Sequence, residues 1–191
     1  GAIAEVLGDA ATPELIAAWD EAYWLLAAEL IAAEARLYQH SGSGPDHRQP
    51  VRIVERRELA IDVVSLTLEA VGDAPLGDFL PGQYISVQVE LAPGVLQQRQ
   101  YSLSDAPNGR SYRISVKREA GDHATAGYVS NLLHDHVDKG TVVKLTPPFG
   151  PFHLDTKAKT PVVLISGGVG LTPLVSMLKS VLRAGERDVV F

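Results

Sequence analysis

Three short tracts combine residue types that could hold a nucleotide. Arg99-Gln100-Tyr101-Ser102 offers a guanidinium, an amide, a phenol and a hydroxyl in consecutive positions. Read as a strand, the tract sets Arg99 and Tyr101 on one face and Gln100 and Ser102 on the other. A flavin nucleotide needs a cation for its pyrophosphate, a flat aromatic surface for its ring and short donors at the ring edge. Arg99, Tyr101 and Ser102 could supply these in turn. Tyr84, after Pro81-Gly82-Gln83, could add a hydroxyl or a stacking contact. Taken alone, the tract is a weak signal, and the same residues read better as an ordinary half-exposed strand.

The second tract, Gly127-Tyr128-Val129-Ser130-Asn131, opens a helix whose exposed N–H groups and dipole favour phosphate. A plain Ser or Gly cap explains it as economically. The third, Ser166-Gly167-Gly168-Val169-Gly170-Leu171-Thr172-Pro173, joins an apolar run to a helical one. Glycines let backbone approach a ligand closely, and the helix start attracts a pyrophosphate. The spacing is not G-x-G-x-x-G, since Thr172-Pro173 follow directly. Pro173 suits the first helical turn and leaves Thr172 as cap. A structural βα turn is the alternative, and the strand–glycine–helix context favours the ligand.

Around these tracts the patterning predicts the elements that must position them. Residues 13–38 read as a long helix capped by Thr12, with Pro13 and Glu14 in its first turn. Trp19, Tyr23, Leu26, Leu30, Ala33 and Leu37 mark one apolar face. Glu34 projects about 40° from Leu30; a carboxylate on a buried stripe needs a partner, and on the residues alone a place at the stripe's edge that reaches water is the preferred reading. Such a helix must bury its stripe, so more helical protein is expected before Gly1. Residues 41–50, SGSGPDHRQP, read as a linker.

Beyond Pro50 the period changes. Val51–Arg57, Val63–Glu69, Tyr84–Leu91, Arg99–Ser104, Tyr112–Arg118 and Thr141–Thr146 predict a six-stranded antiparallel barrel, with one helix at Val129–His136. Pro161–Ser166 is apolar without alternation, as in a parallel strand buried on both faces. Leu171–Arg183 reads as a helix stopped by Gly185, and Asp188–Phe191 as the start of a further strand.

Composition narrows the function classes. The chain has 191 residues and a net charge of −6, so nothing attracts it generally to nucleic acid or anionic membrane. Zero cysteines exclude disulfides, iron–sulfur ligation and a Cys nucleophile within these residues. Residues 1–40 carry seven acids against one base, and the rest is neutral, which suggests two separately built units. The uncharged run between Lys159 and Lys179 is long enough to span a membrane, but Pro161, Gly167, Gly168, Gly170 and Pro173 break it. Without a basic n-region or cleavable apolar segment at Gly1, no secretory signal and a cytoplasmic location are expected. Of the six histidines, His134 and His136 are not i,i+4 neighbours, and no metal site is expected from His40, His47, His123 or His153 either.

In order, PGQY, RQYSLS, YRISVKRE, GYVSNLLHD, LTPPFGPF and LISGGVGLTP resemble the ferredoxin reductase-like flavoenzymes from about Val51 to the end. WDEAYWLLAAELIAAEARLY, with VRIVERRE after the linker, looks like the last globin helix of the flavohemoglobins. The resemblance implies the end of a globin at residues 1–40, an FAD barrel at 51–157 and the start of an NAD(P)-binding domain at 158–191. FAD would contact Tyr84, Arg99, Gln100, Tyr101, Ser102 and Ser130. NAD(P)H would meet Gly168, Val169, Gly170, Leu171, Thr172 and Pro173. Glu34, in Glu34-Ala35-Arg36-Leu37-Tyr38, would be the acid that hydrogen-bonds toward the haem's proximal histidine and makes that ligand more electron-donating. The haem b ligand itself is expected outside these 191 residues. The implied activity is electron transfer from NAD(P)H through FAD to haem, for oxidation of nitric oxide to nitrate with O₂. Two rivals are a reductase serving an iron–sulfur protein or oxygenase, and a non-enzymatic β-barrel binding module.

Overall fold

A computed structural model of the protein describes residues 2–41, 44, 47–121, 127–185 and 187–191. The side chains of Tyr38, His40 and Ser41, residues 42, 43, 45 and 46 of the expected linker and all of His123 lie outside that description. The chain divides into two compact units, Gly1–His47 and Arg48–Phe191.

The first unit holds α1 (Ala2–Leu7), a 3₁₀ turn at Gly8–Ala10 and α2 (Pro13–Ser41), three residues longer than its pattern predicts. Thr12 caps α2: the Leu15 N–H donates to its hydroxyl at 3.3 Å. Backbone hydrogen bonds, then the Thr12 hydroxyl, hold the Glu14 carboxyl below its usual range. The single-face expectation needs correction. Trp19, Tyr23, Leu26, Leu30 and Leu37 are exposed within the described residues, and so are Trp24, Leu25 and Ile31. One and two positions beyond Tyr23 turn Trp24 and Leu25 about 100° and 200° around the axis, so apolar groups encircle α2.

The second unit is built on a six-stranded antiparallel sheet: β1 (Gln49–Ala60), β2 (Val63–Ala70), β3 (Tyr84–Ala92), β4 (Val95–Ser102), β5 (Ser111–Lys117) and β6 (Val142–Leu145), ordered β4-β3-β6-β1-β2-β5. Just past β4, Leu103 bridges to Ile114 of β5, which brings the two edges together as a barrel. Val51, Ile53, Leu66, Leu68, Ile85, Leu103 and Ile114 fill the interior, since alternate residues of every strand point inward. Helix α3 (Tyr128–Asp135) adds Val129 and Leu133 to the same core.

β4 begins four residues earlier than expected. Gln97 and Gln98 hide it from a hydrophobic pattern, yet Pro93-Gly94 turns the chain and Val95 pairs with Ala92. Gly94 takes φ +79, open to glycine at no cost.

The expected strand Pro161–Ser166 is reduced to β7 (Val162–Val163), parallel to β8 (Val189–Val190). Leu164 is buried against Leu174 and Met177 of α4 (Leu171–Ala184), but Val163 and Ile165 are exposed. The two-strand sheet is thus covered on one face among the described residues, not on both. Gly185 ends α4 at φ +67, its N–H bonded to Val181 O at 3.0 Å. No described helix is long and apolar enough to cross a membrane.

Candidate functional site

The register of β3 against β4 arranges the first tract. Tyr84 faces Ser102, Ile85 faces Tyr101, Ser86 faces Gln100 and Val87 faces Arg99. Directly opposed residues share a sheet face. Tyr84, Ser102 and Gln100 therefore lie on one side, and Arg99 and Tyr101 on the side of the buried Ile85 and Val87. Tyr101 packs partly against the core. Burial pushes its phenol up to about 12, against the opposing pull of Arg99, so it remains a hydrogen-bond donor at neutral pH. Arg99 reaches solvent, with Nη1 donating to Gln98 O at 2.7 Å and Nη2 to Gln97 Oε1 at 3.1 Å. Gln100 is exposed, and Tyr84 and Ser102 are half-buried.

Tyr84 is held by the Phe149-Gly150 loop. Its N–H donates to Phe149 O at 2.9 Å and its carbonyl accepts from Phe149 N at 2.8 Å. Gln83 ties the preceding turn, accepting from Leu80 N at 2.8 Å.

The second tract is more self-contained than its sequence suggests. The Ser130 hydroxyl is buried, donates to Gly127 O at 2.9 Å and accepts from Glu119 N at 3.1 Å. A Cβ on Gly127 would stand 2.7 Å from that hydroxyl, so the glycine is required by packing. Ser130 thus builds the turn with its side chain.

The third tract behaves in the opposite way. Gly168–Gly170 form a 3₁₀ turn that runs straight into α4. Thr172 is not the cap: Gly170 precedes the helix, and Thr172 lies inside the first turn, its hydroxyl donating to Val169 O at 3.0 Å. Pro173 still falls in that turn, where no N–H is missed. A Cβ at Gly167, Gly168 or Gly170 would meet nothing within 4 Å. Packing therefore explains none of the three, and only Gly168, at φ +55, needs glycine for its backbone.

Open space lies in front of this turn. A cleft of about 490 Å³ is walled on one side by Gly168, Val169, Leu171, Thr172 and Val175. The barrel wall opposite was not foreseen: Glu55, Arg57, Ser65, Ser104, Ser115 and Lys117 line it. The register explains their convergence. Arg57 faces Ser65, and Ser65 faces Ser115, in a transverse row across β1, β2 and β5. The Ser115 hydroxyl donates to Ser104 Oγ at 3.1 Å, extending the row to the segment after β4. Alternation within each strand marks these residues as outward-facing, but their meeting depends on which strands pair. Arg99, Gln100, Tyr101, Ser102, Tyr84 and Ser130 do not line the cleft. Glu34 belongs to the other unit, exposed on α2.

Residues 50–154 match the family described as oxidoreductase FAD-binding domain. The flavohemoprotein of Rhizobium meliloti (strain 1021) is 53% identical over 193 residues, covering 99% of this chain and 48% of that protein. Flavohemoprotein A of Dictyostelium discoideum is 42% identical over 203 residues, covering 100% of this chain and 51% of that protein. The chain thus spans about half the length of the curated relatives it matches. Among solved structures, flavohemoglobin from Malassezia yamatoensis with bound FAD and heme is similar over 99% of this chain and 48% of its own, at TM-score 0.72 and 31% identity. The flavohem-like FAD/NAD binding domain of nitric oxide dioxygenase from Vibrio cholerae O1 biovar El Tor covers 74% of this chain and 60% of its own, at TM-score 0.69 and 40% identity. Phthalate dioxygenase reductase covers 75% of this chain and 42% of its own, at TM-score 0.63 and 30% identity.

Proposed function

Because the chain belongs to the oxidoreductase FAD-binding domain family, we propose that it is the reductase part of a flavohemoglobin, carrying electrons from NAD(P)H through FAD to haem for the oxidation of nitric oxide to nitrate with O₂. The span of the likeness carries this reading: flavohemoproteins match 99% of the chain, α2 included, whereas phthalate dioxygenase reductase covers 75%. A reductase for an iron–sulfur protein leaves α2 unexplained. The encircling apolar surface of α2 suits the end of a globin, where other helices would cover it. On this reading β7, the glycine turn, α4 and β8 begin the nicotinamide-nucleotide domain.

The residues present fit FAD. Arg99 offers an exposed guanidinium steadied by two hydrogen bonds, suited to a pyrophosphate. Tyr84 and Ser102, paired across the strands, offer a ring and a hydroxyl on one face. Tyr101 supplies a phenol that stays protonated, and the first turn of α3, built by Ser130, presents backbone to a phosphate. FAD would supply the chemistry itself, taking a hydride from the nicotinamide and releasing electrons singly. The protein's own part is to hold, orient and exclude water. Gly168 and Gly170 leave room for the nicotinamide nucleotide, and Thr172 stands beside them in the cleft wall. Glu34 is assigned the acid beside the haem ligand. The test is to load the chain with FAD and pass it through gel filtration. One flavin per chain, seen by its visible absorption, is expected, and a colourless protein would overturn the assignment.

A further inference from the structure

Three residues beyond Ser102, Asp105 joins the barrel to α4. Its Oδ1 accepts from Lys179 Nζ at 3.0 Å and its Oδ2 from Arg113 Nη2 at 3.1 Å. Oδ1 also accepts from Ala106 N at 2.9 Å. The backbone carbonyl of Asp105 accepts from the fully buried Ser176 hydroxyl at 2.7 Å. Two residues further, Pro107 O accepts from Arg183 Nη1 at 2.9 Å. Ser176, Lys179 and Arg183 are spaced three and four apart, so one face of α4 rests on the three-residue segment Asp105–Pro107.

Both ends of this joint are stiff. On the barrel side, Leu103 is fully buried, Ser104 N donates to Arg113 O at 2.8 Å, and Arg113 Nη2 donates to Ser104 O at 2.8 Å. On the other side, α4 is continuous from Leu171 to Ala184, and its first turn carries Thr172 directly after the glycines. Burial works to raise the Asp105 carboxyl, but Lys179, Arg113 and the Ala106 N–H outweigh it and hold it below the usual carboxylate range. The anchor is therefore charged at neutral pH. Removing that charge would leave Arg113 and Lys179 facing each other uncompensated.

We propose that Asp105 is a positioning residue that sets the spacing between the two nucleotide sites, holding the Gly168–Thr172 turn at a fixed distance from Ser102. The inference rests on the function proposed above. Ser102 and Asp105 lie on one short segment, so a shift of α4 changes the separation of Ser102 from Thr172 directly. Hydride passage is steep in such displacements, about a hundredfold per ångström.

The test compares wild type, Asp105→Asn and Asp105→Glu, in this chain and in the full-length protein that contains it. In the flavin-free chain, amide exchange across Leu171–Ala184 should quicken about tenfold in Asp105→Asn, with exchange in β1–β3 unchanged. FAD affinity should stay within about twofold, because none of Asp105's bonded partners, Ala106, Arg113, Ser176 and Lys179, is among the residues assigned to FAD. In the full-length protein, flavin reduction by NADH or NADPH should slow about tenfold to a hundredfold, and Asp105→Glu should recover most of the rate. Should Asp105→Asn fail to fold, Ser176→Ala, which removes the hydroxyl bonded to the Asp105 carbonyl and does not line the cleft, gives the same readouts. Unchanged exchange in α4, or altered exchange with an unchanged reduction rate, overturns the proposal. A wild type that holds no FAD sinks the function and this inference together. A wild type that holds FAD and is reduced no faster than Asp105→Asn sinks this inference alone.

Discussion

The ring of Tyr84 lies against the backbone of Gly150: a Cβ built there would stand 3.0 Å from both Cδ1 and Cε1. Gly150 also takes φ +121, where an L side chain is strained. Gly150→Ala is therefore expected to destabilise the fold by about 1–3 kcal/mol. It should also tilt Tyr84 and weaken FAD binding. Urea melts and flavin titration check the two effects together. Full affinity in a folded Gly150→Ala would remove Tyr84 from the flavin site.

Arg99 offers a cleaner separation. Its side chain is exposed and bonds only to Gln97 and Gln98 of its own strand among the described residues. Arg99→Ala should cost the fold under about 0.5 kcal/mol. FAD affinity should fall by roughly 2–4 kcal/mol, the range for losing a charge-assisted contact to a phosphate. Arg99→Lys keeps the charge but not the two-pronged fork, so it should fall between. An unchanged affinity in Arg99→Ala would favour the non-enzymatic binding module.

Tyr101 makes a prediction in pH. Burial raises its phenol from 10.0 to about 12, so the folded state holds the proton more tightly than the unfolded chain. That contribution is complete below pH 10 and is lost as pH rises from 10 to about 12. It amounts to at most about 2–3 kcal/mol. Burial, then the charge of Asp78, also raises Tyr112, whose hydroxyl donates to Gly77 O, so wild type carries both contributions. Unfolding free energies at pH 9 to 12 should fall less steeply in Tyr101→Phe than in wild type. Equal slopes would place the Tyr101 phenol in water.

The sequence exposes the barrel well because its strands alternate and their partners are near. Ile53, Leu66, Leu68 and Ile114 sit inside as alternation demands. The extent of β4 escapes because pairing with β3, not hydrophobicity, makes Gln97 and Gln98 a strand. The barrel wall of the cleft escapes for a related reason: Arg57, Ser65 and Ser115 become neighbours only once β1, β2 and β5 are in register. Ser130 shows the reverse failure. A Gly-x-x-Ser helix start signals a phosphate site and a self-bonded turn equally, and only the bonds to Gly127 and Glu119 show where the hydroxyl goes.

The glycine turn separates a structural from a functional reading most sharply. Gly170 has φ −59 and ψ −11, an ordinary helical conformation, and a Cβ there would touch nothing within 4 Å. On folding grounds alone Gly170→Ala should be neutral or stabilising by about 0.4–1 kcal/mol, since alanine restricts the unfolded chain. Gly168, at φ +55, should instead lose about 1–2 kcal/mol as alanine, from backbone strain without any clash. If the turn exists to let a nucleotide approach, the two variants must part company in stability yet agree in binding. Both should weaken NADH or NADPH by about tenfold or more, because a methyl group would occupy the space the phosphate needs. The measurement is a melt of each variant beside a nucleotide titration of the FAD-loaded full-length protein. A Gly170→Ala protein that is at least as stable as wild type and binds the nucleotide equally well would mean that the open face of this turn serves nothing.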